Sequence, residues 1–317
     1  LKLAGLLECA YAWRVFRAPS LSTLRRSEGV PGLVLGFLLL GLQPLFVKLA
    51  DRLGFVPAES VLIRFGITLT FAIASARLTG QSLRTQRPWI WLLRGIFGGA
   101  AVMLFFTSVA LAGAGVGTLL NYTYPVWAQL FAFTVGERLR LETFGYFALA
   151  LLGVYFVVNP GSADLGPGEL AGIFSGMLAG IAVLCLKKLR ETDGEQTIIV
   201  SFSAFGIVYA VGWLAWQGGG GFIESKHALE GWLVELAVGL LSFFGHVYFT
   251  KGYKYTTIRL GSVLSMLVPL IAALTGALFL GEPITAHFVL GALLILASVA
   301  LATWRERPRS PEVPRSA

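Results

Sequence analysis

The sequence predicts an all-α integral membrane protein with ten transmembrane helices in two inverted five-helix repeats. Three observations lead there. The 317 residues are 56% hydrophobic and only 13% charged, whereas soluble domains carry about 25% charged residues. Ten apolar runs of near-spanning length follow one another along the chain. The Lys and Arg residues collect in alternate gaps between these runs.

The runs lie at about 30–50, 57–78, 89–111, 116–135, 141–158, 168–186, 197–216, 230–250, 260–280 and 285–304. They are rich in Leu, Ala, Gly and Phe without alternation, which predicts helices rather than barrel strands. The 38 glycines suit close helix–helix approach in lipid. Breakers fill the gaps: Asn159-Pro160-Gly161, Gly166-Pro167-Gly168 and the glycine run 218–221. Residues 1–29 form a basic extension with Arg14, Arg17, Arg25 and Arg26, either an amphipathic helix on the membrane surface or a loosely ordered leader. Residues 305–317, rich in Arg and Pro, predict a disordered cytoplasmic tail.

With the N-terminus inside, 20 of the 25 Lys and Arg residues fall on the inner side and 2, Arg52 and Lys226, on the outer. Lys48, Arg64 and Arg94 lie in or at the edge of spans. The positive-inside rule then predicts an even span count and both termini in the cytoplasm, in a cell (inner) membrane. The net charge of +8 thus reads as a topology signal, not a nucleic-acid surface.

The chain also repeats itself. Gly117-Thr118-Leu119-Leu120-Asn121-Tyr122-Thr123-Tyr124-Pro125 aligns with Gly261-Ser262-Val263-Leu264-Ser265-Met266-Leu267-Val268-Pro269, and Gly136-Glu137 with Gly281-Glu282. The spacing from Gly41 to Lys48 matches that from Gly180 to Lys187. Units of five helices must insert upside down relative to one another, with a site expected between the halves near the midplane. The predicted units are 30–158 and 168–304.

The small-residue stretch, mid-helix proline, Gly-Glu turn and final apolar helix, present at 105–158 and again at 249–304, resemble the EamA-like branch of the drug/metabolite transporter superfamily. The likeness covers nearly all of 30–304. It implies a ten-helix carrier with inverted halves, working by alternating access as an exporter or exchanger of amino acids or similar amphipathic metabolites. It implies no particular substrate.

Polar groups at membrane depth are the candidate substrate-binding residues: Gln43, Asn121, Tyr122, Gln129, His246, Tyr248 and Ser265, with Arg94 reaching in from the inner side. Arg94, Lys48 and Lys187 lie near helix ends, where snorkelling to the interface is the cheaper reading. Arg64 lies about 10 Å into its span. It either pairs structurally, with Glu59, Glu235 or backbone carbonyls, or holds a substrate carboxylate or phosphate; the structural role is expected. Pro44, Pro125 and Pro269 are candidate kinks or hinges. Glu137 and Glu282 are expected to cap the helix that follows each of them.

Cys9 and Cys185 have no metal or disulfide spacing, and His227, His246 and His287 form no ligand cluster. The sequence therefore predicts no metal and no cofactor. It predicts no enzyme either, since it lacks HExxH, His-rich patches and Gly-x-Ser-x-Gly. The alternatives are an integral-membrane enzyme or a non-transporting receptor. The expected partners are a small-molecule substrate and the lipid bilayer, with no nucleic acid; a homodimer is compatible with the sequence. His246 is the one deep proton-relay candidate, so facilitated diffusion or exchange is expected over strict proton coupling.

Overall fold

The structure is a computed structural model that describes residues 26–131, 141–158, 166–216, 229–255, 264–265 and 267–304. Among these every regular element is helical: α1 (Arg26–Arg52), α2 (Pro57–Thr79), α3 (Pro88–Ala112), α4 (Ala114–Asn121), α5 (Tyr124–Phe131), α6 (Leu141–Val158), α7 (Pro167–Leu189), α8 (Glu195–Trp216), α9 (Leu229–Tyr255), α10 (Leu267–Thr275) with a π-helical turn at Gly276–Leu280, and α11 (Ala286–Trp304). Six of them, α1, α2, α3, α7, α8 and α9, are long and apolar enough to cross a bilayer. Most of the predicted extension and the whole tail, along with Glu137, fall outside the described residues.

Proline starts α2, α3 and α7, where its missing N–H costs nothing. The first apolar run begins four residues late compared with its helix, because α1 already includes Arg26. Pro44 leaves α1 continuous.

The fourth run is not one helix. It breaks at Tyr122-Thr123 into α4 and α5, and Pro125 is the second residue of α5. Pro125 lacks the N–H that would bond the Asn121 carbonyl. Thr123 repairs part of the break: its Oγ1 donates to the Leu120 carbonyl (2.7 Å), and its own carbonyl accepts from the Val126 N–H (2.9 Å). Gly176 of α7 lets the break pack close, since a methyl added there would sit 2.8 Å from the Leu120 carbonyl. The ninth run is also irregular. Pro269 lies near the start of α10, and the run ends in the π turn, stopped by Gly281 at φ +69°. Wide turns of this kind are frequent at functional sites.

The helices pair in a definite pattern. α9 packs along α1, and α7 along α3; α8 contacts α2 and α3, and α11 packs on α6. Glycines make the closest crossings. A methyl at Gly36 of α1 would sit 2.8 Å from the Phe249 nitrogen of α9, and one at Gly99 of α3 would sit 2.8 Å from the Gly206 nitrogen of α8. Backbones at that distance leave no room for a side chain.

One end of the bundle is sewn together by its loops. The α2–α3 link (80–87) meets the α7–α8 link (190–194): Thr85 Oγ1 and the Gln86 N–H both donate to Asp193, and Arg87 pairs with Glu191 at 2.8 Å. Hydrogen bonds from Lys188 and then Arg87 hold the Glu191 carboxyl below its usual range. Trp91 Nε1 donates to the Thr197 carbonyl (2.8 Å), and Ser201 donates to that of Trp91 (2.6 Å).

The opposite end has its own ties. Arg52 donates to the Leu280 carbonyl (2.7 Å); Lys48 pairs with Asp51 (2.8 Å) and donates to the Ala110 carbonyl. Lys48 is therefore anchored to α3 instead of snorkelling, while Lys187 is exposed as expected.

Glu282 is placed differently from the sequence reading. Its oxygens accept from the Ala114 N–H (2.7 Å) and the Gly115 N–H (3.1 Å), so it caps α4 and not the helix that follows it. A single residue, Gly113 at φ +94°, links α3 to α4 and points the α4 amides at that carboxylate. A cap of this kind contributes about 1–2 kcal/mol. Glu282→Ala should therefore lower the thermal unfolding midpoint by a few degrees, and Glu282→Gln, which keeps one acceptor, by less. An unchanged midpoint for Glu282→Ala would show the cap to be energetically idle.

Candidate functional site

A cavity of about 120 Å³ opens between the helices. α1 contributes Gln43; α2, Arg64; α3, Arg94 and Gly98; the end of α4, Asn121; the α4–α5 break, Tyr122; α8, Phe202; and α9, His246. α4 thus ends at the cavity wall, and Tyr122 of the break lines the cavity beside it.

A hydroxyl the sequence reading did not single out organises one side of it. Ser242 of α9 is fully buried. Its Oγ accepts from Arg64 Nε (2.6 Å) and from Gln43 Nε2, and donates to the Val238 carbonyl. A hydroxyl offers one donor and two acceptor sites, so Ser242 is saturated. The Ser242 carbonyl accepts from His246 Nδ1–H at 2.9 Å; a carbonyl can only accept, so the proton lies on Nδ1. The signal in the sequence is the position of Ser242 one helical turn before His246. On the other side, Asn121 Nδ2 donates to Ser175 Oγ (2.6 Å), which donates to the Ala101 carbonyl (2.7 Å).

The two arginines dominate the electrostatics. Arg64 is 2% exposed and Arg94 7%. Arg64 forms neither ion pair expected of it: Glu235 accepts from Ser60 Oγ, and Glu59 accepts from the Val56 N–H (2.9 Å). Its guanidinium lies 4.5 Å from the centre of the Phe65 ring and 5.3 Å from that of Phe106. Arg94 does not snorkel. Its guanidinium lies 4.7 Å from the centre of the Phe202 ring, which itself meets Phe65 edge-on at 5.4 Å and His246 at 5.0 Å. Arg64 Nη1 and Arg94 Nε are buried without a hydrogen-bond partner among the described residues. A cation–π contact returns about 0.5–2 kcal/mol, against several kcal/mol for each buried ion. The site as it stands is under-compensated for positive charge.

The other expected residues are distributed unevenly. Tyr248 is half-buried outside the cavity lining, because a helix turns about 100° per residue and Phe249 takes the inward position. Ser265 is fully buried but also outside the lining. Gln129 belongs to α5, and its side chain is outside the described residues. Pro269 lies next to Val268, which does line the cavity. No group of three or more metal-binding side chains occurs among the described residues.

The family model of the EamA-like transporter family matches this chain twice, at residues 27–159 and 166–304. An uncharacterized transporter of Archaeoglobus fulgidus is 26% identical over 67% of this chain and 74% of its own length. The pseudopaline exporter CntI of Pseudomonas aeruginosa is 25% identical over 77% of this chain and 86% of its own. The riboflavin transporter of Rhizobium johnstonii is 24% identical over 84% and 87%. A crystal structure superposes with a TM-score of 0.61 at 21% identity, covering 88% of this chain and 98% of that one, and so shares the fold. A multi-pass bundle with a polar cavity and these relatives defines a membrane transporter of small molecules, not an enzyme. The chain belongs to the EamA-like transporter family.

Proposed function

We propose that the chain carries a small, carboxylate-bearing amphipathic metabolite such as an amino acid across the cell (inner) membrane by alternating access, as an exporter or exchanger. The observation that carries this reading is the cavity: both halves of the chain supply its walls, and it holds hydrogen-bonding groups beside aromatic faces. The name of the Pseudomonas relative, an exporter, favours the outward direction.

The proposed frame is ten transmembrane helices in two inverted five-helix repeats, with both termini cytoplasmic. Two observations support it. The family model matches each half separately. The packing also exchanges under the repeat: α1 and α7 open the two halves, α3 and α9 are each third in theirs, and the two most extensive packings are α1 with α9 and α7 with α3. Such a frame has two equivalent ways to close, one toward each side. One chain walls the cavity by itself, so a homodimer would join through lipid-facing surface.

Topology is tested with a membrane-impermeant thiol reagent on intact cells. Cysteines placed at Asp164 or Phe222 should label from outside, and one at Ser310 should not. Labelling at Ser310 would overturn the ten-helix frame. The carrier reading is tested by counterflow of radiolabelled amino acids in proteoliposomes. At matched protein content, at least two of Gln43→Ala, Tyr122→Ala and Gln129→Ala should cut flux severalfold. Arg84→Ala, exposed on the α2–α3 link, should leave it unchanged. Parent-like flux in all three variants would remove the cavity from the transport path.

A further inference from the structure

We propose that the cavity selects small organic anions with two acidic groups, one engaging Arg64 and the other Arg94; the inference rests on the reading of this cavity as the substrate site. Arginine keeps its charge in proteins, so two fixed positive charges share one small space. No Asp or Glu is among the described residues that line it. The acids on neighbouring turns are engaged elsewhere: Glu59 with the Val56 N–H, and Glu235 with Ser60. Glu235 also lies seven residues along α9 from Ser242, about 10 Å at 1.5 Å per residue.

Two of the neutral amides already have partners. Gln43 Nε2 is held by Ser242, and Asn121 Nδ2 by Ser175. Among the charged donors of the cavity, Arg64 Nη1 and Arg94 Nε have no partner among the described residues. A carboxylate or phosphate is the acceptor that matches a guanidinium in charge and geometry. A zwitterion with a single carboxylate would satisfy one arginine and bring its ammonium toward the other. That disfavours neutral amino acids and excludes amines, leaving diacids, acidic amino acids included. The cavity of about 120 Å³ is of a size for a short-chain diacid.

Gly98 adds a second handle on the same chemistry. It lies one turn from Arg94 on α3, and a side chain there would run into the Arg94 guanidinium. Gly98→Val therefore displaces the charge without removing it.

Thermal unfolding of the purified full chain in detergent tests the proposal. Succinate, glutarate and glutamate are compared with glutamine, succinamide and 1,4-diaminobutane at matched ionic strength and pH. The diacids should raise the unfolding midpoint and the other compounds should not. Arg64→Gln and Arg94→Gln should each raise the diacid concentration needed by about tenfold or more. Gly98→Val should do the same by its separate route, which keeps the test decisive if one arginine variant fails to fold. The proposal is overturned if succinamide or diaminobutane stabilises as well as succinate, if no diacid gives a shift, or if the diacid shift survives in the variants. Stabilisation by a neutral compound that Asn121→Ala abolishes would reject charge selection yet keep the cavity as the binding site. A diacid shift unchanged by Asn121→Ala and by both arginine variants would reject both readings.

Discussion

Arg64→Met is expected to cut transport by about tenfold to a hundredfold while leaving the fold as stable as the parent or more so. The loss corresponds to one charge-assisted hydrogen bond to the substrate, about 1.5–3 kcal/mol. The retained stability follows from how Arg64 is held. Its guanidinium has one hydrogen bond, to Ser242, two aromatic faces, and no carboxylate among the described residues. Replacing an under-compensated buried ion with an apolar chain of similar length is often neutral or stabilising. Ser242 is not orphaned by the change, because it keeps Gln43 as donor and the Val238 carbonyl as acceptor. Flux in proteoliposomes and thermal unfolding, measured on the same preparations, check the two halves of the expectation. Unimpaired flux in Arg64→Met would return Arg64 to a purely structural role.

The largest effect on folding is expected at a helix crossing, not in the cavity. Gly99→Val should eliminate the monodisperse peak of the parent in fluorescence-detected size-exclusion chromatography. Its new Cβ would sit 2.8 Å from the Gly206 nitrogen and 2.9 Å from the Phe205 carbonyl carbon. Both are backbone atoms, so relief requires α3 and α8 to move apart. Overpacking of this kind costs about 1–3 kcal/mol even where side chains can yield. Separation would also pull Arg94 of α3 away from the Phe202 ring of α8 that carries its guanidinium. Gly66→Ala is the matched control: nothing lies within 4 Å of an added Cβ there, and alanine improves helix propensity. A parent-like profile for Gly99→Val would mean that the α3–α8 crossing is looser than drawn.

Much of this architecture was legible in the sequence, and the limits of that legibility are physical. Apolar length and breakers mark the helices because a bilayer tolerates little else. Pro125 flagged the α4–α5 break, since a missing N–H has a local consequence at a known position. Five candidate contacts of the cavity, Gln43, Arg94, Asn121, Tyr122 and His246, stand out because polar groups at depth are costly. The partners of those groups do not. Whether Arg64 meets Glu235 or Ser242 depends on the rotation and height of α2 against α9. Ser60, one turn nearer the helix start, takes the carboxylate instead. Tyr248 fails for the same reason in reverse, one residue of phase separating it from Phe249. The partner of Glu282 was beyond reach because it lies 168 residues away in the chain.

That last distance has a consequence for how the protein is made. The ribosome delivers Ala114 and Gly115 to the membrane long before it has synthesised Glu282. Through that interval the first turn of α4 has its amides pointing at a carboxylate that does not yet exist. The amino-terminal half can thread its helices across the bilayer as they emerge, but α4 does not gain this cap until the last interhelix loop of the chain has been translated and has folded back. A nascent chain stalled before residue 282 should hold α4 frayed, its amides exchanging with solvent, and release of the stall should protect them. Completion of the first half is thus scheduled by the second.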